Sequence, residues 1–156
     1  MKGSERVIEV LNDLLTLELT AINQYMAHAK MCENWGYERL ARRLRETALE
    51  EMRDAEAIID RILFLEGVPN LQRLGPVAVG ESPREQIELA LRTERQALEL
   101  LARGVAVSLE EGDNASREFF AARLPEEEEH VNWAETQLAL IAQLGDQHYL
   151  AQQVRE

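Results

Sequence analysis

Acidic residues interrupt the apolar stripes of four segments in this 156-residue chain. Alternating steps of four and three residues trace one stripe through each segment, as expected for amphipathic helices. A carboxylate falls near the middle of every stripe, and no lysine or arginine occupies the same positions. The polar positions are Glu18, Glu51, Asp54, Glu94, Glu127 and His130.

These six side chains have the composition of a metal site. Helices of similar length that pack side by side bring their midpoints into one layer, so the six groups can converge. Buried carboxylates without partners are costly, and a compensating cation is therefore expected. Carboxylate oxygens with an imidazole suit divalent iron, manganese or zinc. This number of carboxylates suits a pair of metals, bridged by Glu51 and Glu127.

A solvent-facing position remains the alternative for each acid taken alone. Glutamate-rich runs such as Glu126 to Glu129 are usually solvated helix faces. Four interruptions at matching depth favour the metal site instead, and His130 gains weight from its place three residues after Glu127. A plain helical scaffold remains possible only if the acids bind no metal.

The elements that would position these residues are long helices. Capping residues and glycine or proline stops predict helices over residues 4–34, 38–66, 82–111, 114–144 and 146–154. The link from Gly67 to Glu81 can extend about 50 Å, whereas a 28-residue helix is about 42 Å long. The second and third helices can therefore lie parallel. The prediction is an all-α, four-helix bundle with one long crossover and a short fifth helix, as a single domain over residues 1–156.

Composition narrows the possible partners. The chain has 17 Lys and Arg against 29 Asp and Glu, and its net charge is −12. This charge disfavours nucleic acid and anionic membranes as partners. Cys32 is the only cysteine, which excludes an intrachain disulfide and fits a reducing compartment. We find neither a signal peptide nor a membrane span, and we expect a cytoplasmic protein.

At the acidic positions the chain resembles bacterioferritin, the haem-containing branch of the ferritin family, from Met1 to Glu156. The stretches that carry the resemblance are LNDLLTLELTAINQYMAHAKMCENWG, RILFLEGVPNLQ and EEEEHVNWAETQLALI. The resemblance implies a ferritin-like fold and iron storage, with oxidation of Fe(II) to Fe(III) at a di-iron site. It makes Glu18 and Glu94 terminal ligands, Glu51 and Glu127 bridging ligands, and His130 a ligand to one iron.

Two positions set this chain apart from what the resemblance implies. Asp54 stands where the family carries a second histidine, three residues after the first bridging glutamate. The shorter, charged side chain makes the site about one charge more negative, and we expect looser binding of one iron and slower turnover. Pro125 is predicted to kink the fourth helix beside Glu127, since proline within a helix costs about 3 kcal/mol.

The resemblance also implies haem b. Met52 would supply the axial thioether to a haem shared across a two-fold interface, although ordinary packing is the simpler interpretation of a methionine. The walls of the pocket would come from Leu19, Ile22, Asn23, Met26 and Leu49. Tyr25 and Trp133 would lie beside the irons as electron donors, or else belong simply to the core.

Assembly and partners follow from the same resemblance. It implies a hollow homo-oligomeric shell of 24 subunits, whose pores are partly lined by the tail from Asp146. Glu46 and Glu50 would face the cavity as way-stations for iron. A small iron-sulfur ferredoxin would dock on the crossover residues Val68, Pro69, Asn70, Leu71 and Gln72.

Other functions are less favoured by the sequence. The main alternative is a haem-bearing structural subunit of a mixed shell, whose site is impaired by Asp54 and which depends on a second type of bacterioferritin subunit. A DNA-protecting ferritin relative does not fit the intrasubunit ligands and the tail helix. A rubrerythrin-like electron carrier would need cysteines that the chain lacks.

Overall fold

A computed structural model describes residues 1–155 and shows helices joined by short turns and one long extended link. The described residues contain no β-strand, and the predicted all-α class is confirmed. The last residue of the predicted domain, Glu156, lies outside the described residues. The helices are α1 (Glu5–Asn34), α2 (Glu38–Phe64), α3 (Pro83–Glu110), α4 (Asn114–Ala121), α5 (Leu124–Leu144) and α6 (Asp146–Ala151).

Side-chain caps fix the starts of α1 and α3. The Ser4 hydroxyl accepts a hydrogen bond from the Arg6 N–H, and the Ser82 hydroxyl accepts one from the Glu85 N–H. Pro83 follows Ser82 at the first helical position, where its missing N–H costs nothing. Beyond α1, Gly36 adopts φ 90°, a conformation that favours glycine. These local signals explain why both helices begin where the sequence predicts.

The long crossover between α2 and α3 is held along α1. The Asn12 side chain donates to the carbonyl of Val68 and accepts from the N–H of Asn70, at 3.1 and 2.8 Å. Farther along the link, the Thr20 hydroxyl accepts from the Gly75 N–H at 2.9 Å. Because the link runs the length of the bundle, α3 starts at the same end as α2, and the two helices are parallel.

The fourth arm of the bundle is interrupted, and the prediction of one helix over residues 114–144 is wrong at this point. The chain leaves the helix at Ala122 and Arg123, and α5 starts at Leu124. Pro125 has no N–H to donate to the carbonyl of Ala121, which is the last residue of α4. The proline is tolerated because it lies in the first turn of α5.

The apolar core consists of two clusters that are separated along the bundle axis. On α1, Val7 to Leu15 belong to one cluster and Ala21 to Cys32 to the other. On α2 the order is reversed, because α2 runs antiparallel to α1. Glu18 and Glu51 both fall in the gap between the clusters. The fold therefore leaves a polar layer across its middle.

Among residues 1–155, none of the helices combines the length and the hydropathy that a membrane span requires.

Candidate metal centre

Four helices contribute buried acids to the polar layer. Each of these residues is at most 3% exposed. They are Glu18 on α1, Glu51 on α2, Glu94 on α3, and Glu127 with His130 on α5. Asp54, one turn after Glu51, is half-buried. The structure thus brings together all six polar positions that the apolar stripes single out.

The ligand atoms form two overlapping sets. In the first, His130 Nδ1 lies 3.4 Å from Glu51 Oε1, 3.5 Å from Glu94 Oε2 and 3.8 Å from Glu127 Oε2. In the second, one oxygen from each of four carboxylates lies within 4.8 Å of the others, and the residues are Glu18, Glu51, Asp54 and Glu127. Glu51 and Glu127 belong to both sets. This sharing provides ligands for two adjacent cations.

The centre contains buried polar atoms that have no hydrogen-bond partner among residues 1–155. These atoms are Glu18 Oε2, Glu51 Oε1, Glu127 Oε2 and His130 Nδ1. An unsatisfied buried polar group costs about 1–3 kcal/mol, and more when it is charged. Four such atoms aimed into one layer would be an expensive defect in a core whose other polar groups are mostly paired. The donor set therefore fits a bound cation.

Without a metal, protons take the place of the cation. Burial, reinforced by the charge of Glu94, raises the pKa of Glu51 to about 8. Burial and a contact with Glu94 likewise raise the pKa of Glu127 to about 10. Burial alone would lower the pKa of His130, but the three carboxylates around its ring outweigh burial and raise it. A metal that binds here must displace protons from these groups.

Glu94 differs from Glu51 and Glu127 in that its pKa is lowered. Burial acts to raise its pKa, but close contacts with Glu127 and His130 and the hydrogen bond from Tyr25 outweigh burial and lower the pKa. The Tyr25 hydroxyl donates to Glu94 Oε1 at 2.5 Å. Tyr25 therefore touches the centre directly. Trp133 instead packs against Arg43, whose guanidinium carbon lies 4.8 Å from the centroid of the Trp133 ring.

Two acids near His130 were not assigned to the centre by the sequence. His130 Nε2 lies 2.7 Å from Glu50 Oε2, so the ring contacts Glu50 on one side and the buried acids on the other. Glu50, Glu126 and His130 form a third set of ligand atoms within 4.8 Å of one another. The spacing of four residues between Glu126 and His130 is a signal for this contact. Glu46, paired with Glu50 in the prediction, is exposed.

Arg123 is a cation beside the centre that the sequence analysis missed. Its Nη1 donates to the carbonyl of Phe119 at 2.8 Å, and its guanidinium lies 3.5 Å from the centroid of the Phe119 ring. Burial lowers the pKa of Arg123, and Asp54 opposes that shift. Burial raises the pKa of Asp54, and Arg123 is the largest influence that opposes it. The two groups are therefore near enough to interact electrostatically.

A separate groove of about 480 Å³ lies between α1 and α2. Ile22, Met26, Leu49 and Met52 line it, and Met52 is 42% exposed. Lys30 and Arg45 also line the groove and were not anticipated from the sequence. The two other predicted wall residues, Leu19 and Asn23, do not line it. Leu19 packs against the core, and the Asn23 side chain donates to the carbonyl of Leu19.

The predicted docking segment and the tail lie away from the centre. In the crossover, Val68 is 82% exposed and Leu71 is 53% exposed. The tail packs back onto the bundle, where the Gln153 carbonyl accepts from the Arg39 N–H at 3.0 Å and Asp146 pairs with Arg84. Tyr149 anchors α6 by donating to Gln137 at 2.7 Å.

Comparisons with known proteins agree with this fold. A family model for the ferritin-like domain matches residues 8–144. The bacterioferritin of Mycobacterium leprae is 48% identical over 152 residues, which cover 97% of the chain and 96% of that protein. The bacterioferritin of Rhodobacter capsulatus is 46% identical over 149 residues, covering 96% and 92%. A solved mycobacterial bacterioferritin superposes with a TM-score of 0.97 at 47% identity, covering 99% of the chain and 96% of that structure.

Proposed function

The chain belongs to the bacterioferritins of the ferritin family, and on that premise we propose that it stores iron and oxidises Fe(II) at the buried carboxylate centre. The observation that carries the proposal is the pair of overlapping ligand sets with four unsatisfied buried atoms. Iron is the substrate of this centre and the cargo of the protein.

The reaction needs two ferrous ions side by side. Glu51 and Glu127 would contact both ions, Glu18 and Asp54 would complete one ligand set, and Glu94 and His130 would complete the other. Each Fe(II) loses one electron, and one dioxygen accepts the two electrons together with two protons to give hydrogen peroxide. Hydrogen peroxide can take the place of dioxygen, in which case the two electrons and two protons yield water.

The chain's own residues manage the protons and the geometry. Glu51 and Glu127 release protons when the cations bind, because both carry raised pKa values in the metal-free state. Tyr25 holds Glu94 in place through its 2.5 Å hydrogen bond, and we propose it as an electron donor as well. Trp133 is the second proposed donor. The apolar clusters above and below the layer exclude bulk water.

Oxidised iron leaves the centre on the side of His130 that faces Glu50. Glu50 is 40% exposed and lies 2.7 Å from the ring, which supports its proposed role as a way-station, with Glu46 one turn away on α2. The mineral would collect in the hollow homo-oligomeric shell that the bacterioferritin relatives suggest. We propose further that the shell has 24 subunits and that the tail lines its pores. We also propose a cytoplasmic location.

The α1–α2 groove fits haem b as a resident cofactor. The exposed thioether of Met52 would hold the haem iron, and the aliphatic walls suit an apolar macrocycle. Lys30 and Arg45 give the groove cations that suit the two propionates. Haem bound there would supply one-electron transfer. The exposed crossover residues Val68–Gln72 are the proposed dock for a ferredoxin that delivers the electrons.

The comparisons favour iron storage and do not favour a haem-bearing structural subunit that relies on a second subunit type. Asp54 motivated that alternative. Its carboxylate lies within 4.8 Å of the other ligand atoms of its set, which supports Asp54 as a metal ligand.

Aerobic oxidation of about two Fe(II) per subunit by the metal-free homo-oligomer tests the proposal. Ferric absorbance would be followed for the parent, for Glu94→Gln, and for Glu99→Gln as an exposed control on the same helix. We expect a fast phase in the parent and in the control, and its loss in Glu94→Gln. Identical slow traces from all three proteins would contradict a ferroxidase centre in this chain.

A further inference from the structure

We propose that Arg123 is a resident counter-cation of the metal centre. Its positive charge lowers the affinity of the centre for Fe(III) relative to Fe(II) and so promotes release of the oxidised product. This inference rests on the proposed function of the centre. Arg123 would not be a ligand. It would act through its charge, at a fixed position beside Asp54.

The antiparallel register of α2 and the α4–α5 arm places Arg123 opposite Asp54. Toward one end, Arg43 lies over the ring of Trp133, and Glu50 contacts His130. Toward the other end, the Arg61 side chain donates to the Ser116 hydroxyl at 3.1 Å. Between these contacts, the same register puts Asp54 level with Arg123.

Arg123 is tied to the centre and fixed in position. Its carbonyl accepts a hydrogen bond from the N–H of Glu127 at 3.2 Å, so it lies one turn before a ligand shared by both sets. The bond to the Phe119 carbonyl and the stacking on the Phe119 ring hold the guanidinium. Its Nε is buried and has no hydrogen-bond partner among residues 1–155. Holding a half-buried cation here without full hydrogen bonding is costly unless nearby negative charge offsets the cost.

The charges of the two overlapping ligand sets that share Glu51 and Glu127 balance only when Arg123 is included. The two ligand sets contain five carboxylates, while His130 is neutral when it binds a metal. Two divalent ions bring four positive charges, and Arg123 supplies the fifth. After oxidation the two ions carry two further charges that no group in the sets neutralises. Coulomb repulsion from Arg123 therefore acts more strongly on the product than on the substrate.

Glu126 is the competing partner for Arg123. It lies on the same helix, and Arg123 opposes the effect of burial on its pKa. Glu126 is absent from both ligand sets around the buried acids and belongs to the set with Glu50. If Arg123 served Glu126 alone, its removal would leave the affinity of the buried centre unchanged.

Binding of redox-inactive ions tests the inference without turnover. Zn²⁺ is titrated by calorimetry and Tb³⁺ by luminescence in the metal-free oligomers of the parent, Arg123→Met and Arg123→Lys. For Arg123→Met we expect Zn²⁺ to bind about tenfold more tightly and Tb³⁺ about thirtyfold more tightly, because electrostatic free energy scales with the charge of the ion. Arg123→Lys keeps the charge and should resemble the parent.

Three further variants separate charge from structure. Arg117→Met removes an arginine from α4 and should bind both ions like the parent. The double variant Asp54→Asn with Arg123→Met restores the sum of charges, so its Tb³⁺ to Zn²⁺ affinity ratio should return to the parent value from the about threefold higher ratio expected for Arg123→Met. Arg123→Gln replaces Arg123→Met if the latter does not assemble.

Oxidation beyond the first two irons gives the functional readout. Arg123→Met should retain the first fast phase and slow the later turnovers, in which product must leave. An unchanged Tb³⁺ to Zn²⁺ ratio in Arg123→Met, or an Arg123→Lys variant that behaves like Arg123→Met, overturns the inference. Failure of the parent itself to bind about two Zn²⁺ per subunit would instead overturn the proposed metal centre.

Discussion

Two histidines are buried in this bundle, and their surroundings give them opposite properties. His130 is 2% exposed and faces three carboxylates, which raise its pKa. His28 is fully buried beside the crossover, where its Nε2 accepts from the Gly80 N–H at 2.9 Å and burial lowers its pKa to about 4. Burial alone therefore does not mark a functional histidine. The neighbouring charges distinguish the candidate metal ligand His130 from the structural acceptor His28.

Glu127→Gln tests the metal centre with the largest expected effect. Glu127 belongs to both ligand sets, so the amide weakens both metal positions at once. We expect the initial rate of Fe(II) oxidation to fall at least about a hundredfold. The matched control is Glu128→Gln, an exposed neighbour on the same helix. Equal losses in both variants would contradict a role specific to Glu127.

The metal-free centre should destabilise the fold as pH rises. The folded state holds protons on Glu51 and His130 that the unfolded chain releases, since both pKa values are raised. Stability contributed by Glu51 is complete below about pH 4.5 and is lost as pH rises to about 8, a loss of about 5 kcal/mol.

Thermal unfolding of the metal-free oligomer between pH 5 and 8.5 measures this loss. Glu51→Gln should reduce the slope, and Zn²⁺ should raise the melting temperature most at the high-pH end. A melting temperature that rises with pH across this range would show that the cluster is not protonated in the folded state.

The region around His28 should show the opposite slope. Its folded pKa of about 4 is below the unfolded value of 6.5, so the unfolded chain binds the extra proton. Stability from this site is present above about pH 6.5 and is lost as pH falls towards 4, by about 3 kcal/mol. His28→Gln keeps an acceptor for Gly80 and should flatten the curve below pH 6.5. If His28→Gln loses stability below pH 6.5 as steeply as the parent, groups other than His28 cause the loss of stability in acid.

Tyr25→Phe, beside the metal centre, is the substitution with the smallest expected effect. It removes the 2.5 Å hydrogen bond to Glu94 and leaves the ring in the core. We expect a loss of about 1–2 kcal/mol in unfolding free energy and a several-fold slower oxidation. Tyr149→Phe, which loses a bond to Gln137, is the control for removing a hydroxyl. If both variants oxidise iron at the parent rate, Tyr25 serves the core alone.

Sequence periodicity was sufficient to predict the helical bundle and the convergence of its buried acids. Apolar stripes interrupted at equal depth identify Glu18, Glu51, Glu94 and Glu127, because helix length sets where the interruptions meet. The break before α5 was predicted only as a kink, since the effect of Pro125 depends on whether it lies inside a helix or in its first turn.

Other contacts could not be inferred from the sequence, because they depend on rotamers and register. Nothing in the spacing of Arg123 shows that it lies level with Asp54 on another helix. The contact of His130 with Glu50 depends on which way the ring turns. His28 carries no periodic signal, since its partner is a backbone N–H of the crossover.

The length of the crossover is matched to α1 by regularly spaced hydrogen bonds. Its contact points at Asn70, Gly75 and Gly80 are five residues apart, while their partners on α1 are eight residues apart. Eight helical residues span about 12 Å, whereas five fully extended link residues reach about 17 Å, four about 13 Å and three only about 10 Å. Deleting one residue between contact points would leave the link almost fully extended, deleting two would break a contact, and an insertion would force a bulge. This connection, although it contains no helix, should tolerate changes of length less well than an ordinary surface loop.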